Sequence, residues 1–197
     1  MSAPAAPLRR PRPRSPPASC FPRPPRRVPD PTGLELLAGG LRARLGDDAV
    51  VGTAHSNDYG SIEIQPQHIS AALALLRDEG YRFLSSVHGA DEYPHEPRLA
   101  VHYELLDMNR PDRVAIKLRV PVDAPHVESV APSWPTADHQ EREIYDLFGV
   151  VFDGHPDLRR ILMPEDYEGH PQRRDFPLGG EPVLFTHHEA EGLHYAE

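Results

Sequence analysis

Histidines concentrate toward the end of the chain, where nearby carboxylates raise the question of metal chemistry. The sequence has twelve histidines, and half of them follow residue 138: His139, His155, His170, His187, His188 and His194. Catalytic zinc needs three protein ligands in fixed geometry, commonly with two on one helical turn or strand. However, His187 and His188 are adjacent, so their side chains point apart in regular structure. His155 and His170 each precede a proline. A His/Asp metal hydrolase is therefore the weaker alternative, and hydrogen bonding at a surface or interface is the simpler role.

Paired arginines and acidic residues recur between residues 150 and 178. The tripeptide Gly-His-Pro occurs at 154–156 and at 169–171, and an Arg-Arg pair follows each copy. Guanidinium groups bind carboxylates through parallel hydrogen bonds, so these residues suit polar recognition of another chain. The stretch lacks helical or strand periodicity, and a long segment of this kind in a small domain is usually functional or disordered. We therefore expect residues 150–197 to be an extended, partner-binding segment.

The cysteine count limits the cofactors that this chain can hold. Cys20 is the single cysteine, whereas iron–sulfur clusters are usually held by four thiolates. The sequence also has no Gly-rich dinucleotide loop of the G-x-G-x-x-G type. Its longest apolar run, 69–76, is much shorter than the ~20 residues that span a bilayer. We expect a protein of a reducing compartment that is not integral to a membrane, with any redox centre in a partner.

Residues 1–31 differ from the rest of the chain in composition. They hold 11 of the 24 prolines and seven arginines against one acidic residue, so this stretch has a charge of +6 and the remainder −15. Prolines exclude a helix here and little apolar surface can be buried, so we expect a disordered or polyproline-like tail. Organelle targeting and nucleic-acid binding are alternatives for the arginines. Targeting is disfavoured because no amphipathic helix is present, and nucleic-acid binding because an acidic body repels phosphate.

Two segments in the first half of the chain have the apolar spacing of amphipathic helices. Thr32 and Glu35 predict a capping box at the start of the first helix, and leucines recur at helical spacing until Gly46. Pro66 opens the second helix, which ends at Gly80. Both helices therefore have recognisable start and stop signals.

A third helix is predicted before the Arg-rich segment. Ser133 or Thr136 caps its start, and Gly149 ends it. Three charged residues recur at every fourth position on one face: Asp138, Arg142 and Asp146. The arginine can therefore pair with either carboxylate.

Five segments have the patterns of β-strands: 48–53, 61–65, 81–88, 99–105 and 113–120. The first two flank a turn-rich sequence and predict a hairpin. The last two alternate apolar and polar residues around a turn, so they predict an antiparallel hairpin with one face exposed to water. The order α-β-β-α-β-β-β-α predicts an α+β domain over residues 32–149, in which helices cover one side of a mixed or antiparallel sheet.

Four stretches of the C-terminal third resemble the signature of a known family. They are EREIYDLFGV at 141–150, GHPDLRRIL at 154–162, PEDYEGHP at 164–171 and RRDFPL at 173–178. Together they look like the C subunit of respiratory NADH:quinone oxidoreductase, also called complex I. Residues 32–130 fit this family only by the order of elements. The sequence departs from the pattern at Gln172, where an apolar residue is expected, and the family suggests no role for the N-terminal tail.

The resemblance implies a subunit of an enzyme complex that has no catalytic site of its own. Such a subunit lies in the peripheral arm and scaffolds subunits D and B near the quinone site. FMN and iron–sulfur clusters, which pass electrons from NADH to quinone, belong to partner subunits, so this chain would hold no cofactor or metal and bind no small-molecule substrate or nucleic acid. The expected location is the cytoplasmic side of a bacterial cell membrane, within a hetero-oligomer in which other peripheral-arm subunits are further candidate partners. The same structural role in a related assembly, such as a membrane-bound hydrogenase, is the alternative.

The resemblance also implies which residues meet a partner. Charged and histidine side chains of the four stretches are the candidates, because they offer guanidinium forks and complementary carboxylates. The candidate partner-binding residues are Glu141, Arg142, Glu143, Asp146, His155, Asp157, Arg159, Arg160, Glu165, Asp166, His170, Arg173, Arg174 and Asp175.

Overall fold

The computed structural model describes residues 30–56, 59–110 and 112–177 of the chain. Within these residues there are three α-helices, namely α1 (Pro31–Leu45), α2 (Ile69–Asp78) and α3 (Ala137–Phe148). The strands there are β1 (Val50–Ser56), β2 (Tyr59–Ile64), β3 (Phe83–Asp91), β4 (Leu99–Asp107), β5 (Asp112–Val120), β6 (His126–Glu128) and β7 (Val151–Asp153). Short 3-10 turns at Asp47–Ala49 and Pro66–His68 precede β1 and α2. The predicted order of elements is confirmed, with β6 and β7 as additions.

A five-stranded mixed sheet forms the centre of the domain, in the order β1-β2-β5-β4-β3. β1 and β2 pair as the predicted antiparallel hairpin, and so do β4 and β5, with Tyr103 opposite Ile116. β2 and β5 are parallel, with Ile62 opposite Ile116. The predicted α+β class with a mixed sheet is therefore confirmed.

The three helices pack on one face of this sheet. A Cβ atom placed on Gly60 of β2 would lie 3.2 Å from Leu34 of α1, and one on Gly89 of β3 would lie 2.7 Å from Phe148 of α3. Helix α2 lies beside α1 and buries Leu73 in the same core. Small residues on the strands let the helices approach closely, so apolar side chains from the sheet and the helices form one continuous core.

The start of α1 differs from the prediction. Asp30 is the N-cap, and its carboxylate accepts a hydrogen bond of 2.7 Å from the N–H of Gly33. Thr32 lies inside the first turn, because the helix already begins at Pro31. Glu35 instead accepts a hydrogen bond from the hydroxyl of Thr53 on β1. The predicted Thr32–Glu35 capping box is therefore wrong.

The opposite face of the sheet is polar, as the alternation in β4 and β5 predicts, but it is drier than expected. Glu104 on β4 is buried and accepts a hydrogen bond of 2.6 Å from the hydroxyl of Tyr59 on β2. Lys117 on β5 lies 2.5 Å from Glu92, which also pairs with Arg119 at 3.0 Å. β4 and β5 lie inside the sheet, between β3 and β2. Long side chains that form ion pairs therefore cover much of this face and are themselves partly buried.

The chain beyond α3 begins with a strand that the sequence patterns did not predict. β7 pairs in parallel with β6 in a separate two-stranded sheet, with Val127 opposite Phe152. Residues 154–177 then contain no helix or strand, in agreement with the predicted extended segment. Most of the predicted N-terminal tail and residues 178–197 lie outside the described residues, although Asp30 and Pro31 belong to the cap and first turn of α1.

Among the helices of the described residues, none combines the length and the apolar composition that crossing a bilayer requires.

Candidate functional site

Residues 154–177, which we name the signature segment, are attached to helix α3 through Asp146. The carboxylate of Asp146 is fully buried, and its Oδ2 atom accepts hydrogen bonds from three successive backbone N–H groups, at 3.1 Å from Ile161, 2.7 Å from Leu162 and 2.8 Å from Met163. Its Oδ1 atom lies 2.7 Å from Nη1 of Arg160. Burial alone would raise the pKa of Asp146, but these hydrogen bonds outweigh it and hold the pKa below its ordinary value.

Two arginines reinforce this attachment. Arg160 donates from Nη2 to the carbonyl of Gly169 at 3.0 Å, and its guanidinium lies 5.7 Å from the ring centre of Tyr167. Arg142 on α3 donates to the carbonyls of Arg159 and Arg160, each at 3.3 Å. The predicted pairing of Arg142 with a neighbouring helix carboxylate is therefore wrong, because backbone carbonyls of the signature segment take its hydrogen bonds instead.

The signature segment also caps the C-terminal end of α3. Nε of Arg173 donates to the carbonyl of Phe148 at 2.6 Å, and the N–H of Gln172 donates to the carbonyl of Leu147 at 3.1 Å. His170 lies 3.0 Å from the carbonyl of Asp146 through Nδ1. The last carbonyls of a helix have no partner within the helix, and they carry partial negative charge. Cationic and N–H groups of the segment therefore satisfy them.

Gly149 allows this capping arrangement. It ends α3 in the left-handed conformation, at φ +76°, as the sequence predicts. A Cβ atom at this position would lie 2.5 Å from both His170 and Arg173. Glycine is therefore required here both by the backbone conformation and by the close approach of the signature segment.

A second network attaches the end of the segment to the β3–β4 hairpin. Arg98 is buried between two carboxylates, with Nε 2.9 Å from Asp91 and Nη2 2.8 Å from Asp175. The N–H of Arg174 also donates to Asp91, at 2.9 Å. Burial opposes ionisation of Asp91, but the bonds from Arg98 and the backbone lower its pKa to about 2.

A third cluster lies where the signature segment begins. Glu141 of α3 is fully buried and accepts hydrogen bonds from the hydroxyl of Ser129 at 2.6 Å and from the N–H of Val130 at 2.8 Å. His155 lies beside it, and its Nε2 is 3.2 Å from the carbonyl of Asp138. Burial raises the pKa of Glu141 above its ordinary value despite these bonds. The cluster fixes the loop before α3 and the first residues of the segment to the same helix.

The structure divides the fourteen candidate residues into two equal groups. Seven make buried or half-buried contacts within the chain: Glu141, Arg142, Asp146, His155, Arg160, His170 and Arg173. The other seven are exposed: Glu143, Asp157, Arg159, Glu165, Asp166, Arg174 and Asp175. Two of the exposed residues, Asp157 and Arg159, pair with each other at 2.9 Å, and Asp175 also contacts Arg98. The first group therefore shapes the segment, whereas the side chains of the second group are accessible to solvent.

Sequence patterns miss two parts of this site. Arg98 and Asp91 lie far from the signature segment in sequence, and nothing in the chain near them indicates the contact with Asp175. Ile161 and Leu162 are not among the candidates, although an apolar pair inside a polar stretch is a detectable signal.

The histidines of the described residues are not grouped for metal binding. In residues 30–56, 59–110 and 112–177, no three side chains of His, Cys, Asp or Glu are arranged to hold a metal ion. His155 and His170 instead contact backbone carbonyls of α3. His187, His188 and His194 lie outside the described residues.

Comparisons with known proteins identify relatives of the sequence. The family model described as respiratory-chain NADH dehydrogenase, 30 Kd subunit, matches residues 62–182. The C subunit of the NADH-quinone oxidoreductase of Roseiflexus sp. (strain RS-1) is 43% identical over 149 residues, which are 74% of this chain and 85% of that protein. The corresponding C subunit of Acidothermus cellulolyticus is 51% identical over 118 residues, which are 58% and 61% of the two chains.

Solved structures share the fold. A trypsin-resistant fragment of Nqo5 superposes with a TM-score of 0.56 at 29% identity, covering 64% of this chain and 98% of the fragment. A chain of the membrane-bound sulfane sulfur reductase, an archaeal respiratory membrane complex, superposes with a TM-score of 0.62 at 21% identity and covers 75% of this chain and 86% of that chain. At the lower identity, the likeness concerns the fold alone.

The matched residues include the four stretches that carry the resemblance in the sequence. The family model also covers the end of β2 and strands β3, β4 and β5 of the central sheet. Sequence patterns relate this region to the family only by the order of its elements. The resemblance is therefore confirmed over most of the described chain, and the protein belongs to the 30 Kd subunit family of respiratory-chain NADH dehydrogenase.

Proposed function

We propose that this chain is a non-catalytic subunit of the peripheral arm of a proton-translocating NADH:quinone oxidoreductase, in which it scaffolds subunits D and B near the quinone site. One observation carries the proposal. The signature segment is fixed to its own domain by buried contacts and presents six charged candidate residues to solvent, and a seventh, Glu143, is exposed on helix α3. Such a surface suits polar recognition. Because the segment is already ordered in the free chain, binding to a partner avoids most of the conformational entropy cost of ordering it.

The exposed group has the composition of a recognition surface. It combines carboxylates, such as Glu165 and Asp166, with the guanidinium of Arg174, which has no side-chain role in the contacts described above. Guanidinium and carboxylate groups form charge-assisted, directional hydrogen bonds across interfaces. The partner would therefore present complementary charges to this side of the segment.

The redox chemistry of the proposed complex belongs to other subunits. FMN and iron–sulfur clusters would be held by partners, since a single cysteine cannot supply the usual thiolate set of a cluster. The proposed location is the cytoplasmic face of the bacterial membrane, where the chain is held through its partners.

Purification of the complex tests this proposal. A tagged full-length chain should be isolated from detergent-solubilised membranes of its own organism, and co-purifying proteins should be identified by mass spectrometry. The proposal expects subunits D and B in amounts equal to this chain, together with NADH:quinone activity. If the chain is recovered without either of these partners, the proposal is wrong.

A matched pair of charge reversals localises the contact. Arg174→Glu changes an exposed side chain of the signature segment, while Arg82→Glu changes an exposed side chain next to β3. The first variant should reduce recovery of subunits D and B, and the second should leave it unchanged. Equal recovery in both variants contradicts a polar interface at this position.

A related assembly is the second candidate. The fold shared with a chain of an archaeal respiratory membrane complex is compatible with the same structural role in an assembly that has a different electron donor. The relatives at 43% and 51% identity are named as C subunits of NADH-quinone oxidoreductase and favour the first candidate. NADH-dependent quinone reduction by the purified complex distinguishes them, because a hydrogenase-type assembly lacks it.

A further inference from the structure

Two large apolar side chains are exposed side by side on the signature segment. Ile161 is 38% exposed and Leu162 is 61% exposed. The other large apolar residues with high exposure in the described part of the chain stand alone in sequence: Leu36, Val51, Phe83, Tyr93 and Met108. We name Ile161 and Leu162 the apolar tip.

The apolar tip is held in its exposed position by buried contacts. The N–H groups of Ile161 and Leu162 both donate to the carboxylate of Asp146, which is itself fully buried. Arg142 donates hydrogen bonds to the carbonyls of Arg159 and Arg160, the two residues that precede the tip. Turning the tip inward would break these bonds and leave a buried carboxylate without its partners. The exposure is therefore fixed by the architecture of the segment.

A fixed apolar surface suits insertion into a partner. Binding by a flexible loop costs conformational entropy, and a loop that is already ordered avoids most of that cost. Apolar residues that enter a desolvated pocket at the centre of an interface supply much of the binding energy, while polar residues at the rim add complementarity. The signature segment offers both kinds of residue, the apolar tip and exposed charged residues close to it in sequence.

The charges near the tip indicate the kind of partner. Four exposed carboxylates lie within a few residues of it: Asp157, Glu165, Asp166 and Glu168. Exposed Arg159 is paired with Asp157 at 2.9 Å, so the exposed charges that flank the tip in sequence, which we name its rim, are acidic overall. An anionic lipid surface repels such a rim and attracts basic ones. A protein cleft with an apolar floor and basic edges complements it.

We propose that the apolar tip anchors this chain to a neighbouring subunit by inserting into an apolar cleft that has basic residues at its edges. The inference rests on the proposed function, because it requires an assembly in which the chain has a protein partner. It adds that apolar insertion at residues 161–162 holds the interface, and that the surrounding charges set its orientation.

Substitution in the full-length chain tests the apolar tip. Leu162→Glu places a charge in the cleft but keeps the backbone N–H that binds Asp146. We expect recovery of the chain with the membrane complex to fall at least tenfold, with an unchanged melting temperature of the isolated chain. Met108→Glu is the matched control, because Met108 is 73% exposed and lies in the β4–β5 turn; its recovery should equal that of the wild type. Leu162→Met should restore recovery.

A crosslinking measurement covers the case in which Leu162→Glu is unstable. A photoreactive benzophenone amino acid replaces Leu162, or Met108 as the control, and the crosslinked species are identified by mass spectrometry. A protein crosslink specific to position 162 supports the inference. A lipid crosslink, or equal crosslinking at both positions, overturns it.

The outcomes separate this inference from the proposed function. If the wild-type chain co-purifies with no other protein of the complex, the proposed function is wrong, and the inference about the apolar tip is overturned with it. If the wild type co-purifies normally and stable Leu162→Glu does so equally well, the apolar tip alone is overturned.

Discussion

Asp146 on α3 accepts four hydrogen bonds from four successive residues of the signature segment. Its carboxylate binds three backbone N–H groups and the guanidinium of Arg160. A carboxylate suits this position because both oxygens accept hydrogen bonds, whereas an amide has one acceptor and one donor. Because Arg160 faces inward to this group, charge reversal at Arg160 would test the fold of the segment and not its interface.

The variant Asp146→Asn should destabilise the chain by about 3 kcal/mol, because the half-buried guanidinium of Arg160 or several backbone N–H groups lose an acceptor. Chemical denaturation of the isolated chain measures this change. Asp157→Asn is the control, since Asp157 is exposed and its pair with Arg159 is a surface contact, so the expected change is below about 0.5 kcal/mol. Equal stabilities of the two variants contradict the central role of Asp146.

Asp91 gives the chain an acid-sensitive attachment between the hairpin and the segment. Its pKa of about 2 in the folded chain is below the ordinary 3.8. The ionised form therefore stabilises the folded state, fully above the ordinary pKa, and this stabilisation of about 2 kcal/mol is lost as pH falls from about 4 to about 2. Asp91→Asn should be less stable at neutral pH and show a flatter decline in acid. Denaturation curves across this pH range measure the difference, and parallel declines contradict it.

At the residue scale, the sequence identifies the candidate residues but not how they divide between buried and exposed positions. Residue types identify the segment, but they do not indicate which members face inward. Arg160 and Arg174 occupy the same place in the repeated Arg-Arg motif, yet Arg160 is half-buried and Arg174 is exposed. The difference arises from the positions of Asp146 and Asp91, which depend on tertiary packing and leave no local pattern.

At the scale of elements, the end of α3 depends on Gly149. An alanine at φ +76° is strained by about 1–2 kcal/mol, and its Cβ atom would also displace His170 and Arg173. Gly149→Ala should therefore lower the melting temperature and expose the signature segment to protease. Gly39→Ala is the control, because a Cβ atom there has no neighbour within 4 Å and the change should stabilise α1 by about 0.5–1 kcal/mol. Destabilisation by Gly39→Ala, or none by Gly149→Ala, contradicts this account.

Periodicity predicts the main helices and strands because their side chains alternate between core and surface. β5 has Val114, Ile116, Leu118 and Val120 on its core face, which is a period-2 signal. β6 and β7 are only three residues each, too short for any period, so their pairing depends on tertiary contacts. At α1, Asp30 and Thr32 are both good caps, and sequence alone does not decide between them.

At the scale of the whole molecule, the two faces of the central sheet are covered in different ways. Helices cover one face, and side chains joined in ion pairs, such as Lys117 with Glu92, cover much of the other. The signature segment runs from α3 to the end of the β3–β4 hairpin, where Arg98 holds Asp175. The segment that contains the apolar tip and most of the exposed candidate charges is therefore attached to the domain both at α3 and at this hairpin.

The isolated full-length chain should hold no redox cofactor. We expect it to show no flavin or iron absorbance and to oxidise no NADH, because Cys20 is the single cysteine and four thiolates usually hold an iron–sulfur cluster. The visible spectrum and the iron and FMN content should be measured before and after incubation with iron, sulfide and FMN. Cys20→Ser is the matched variant and should behave identically, while the complex purified with the same chain should absorb in the visible range. Absorbance that stays with the folded, pure chain through gel filtration would contradict a scaffolding role and assign redox chemistry to this chain itself.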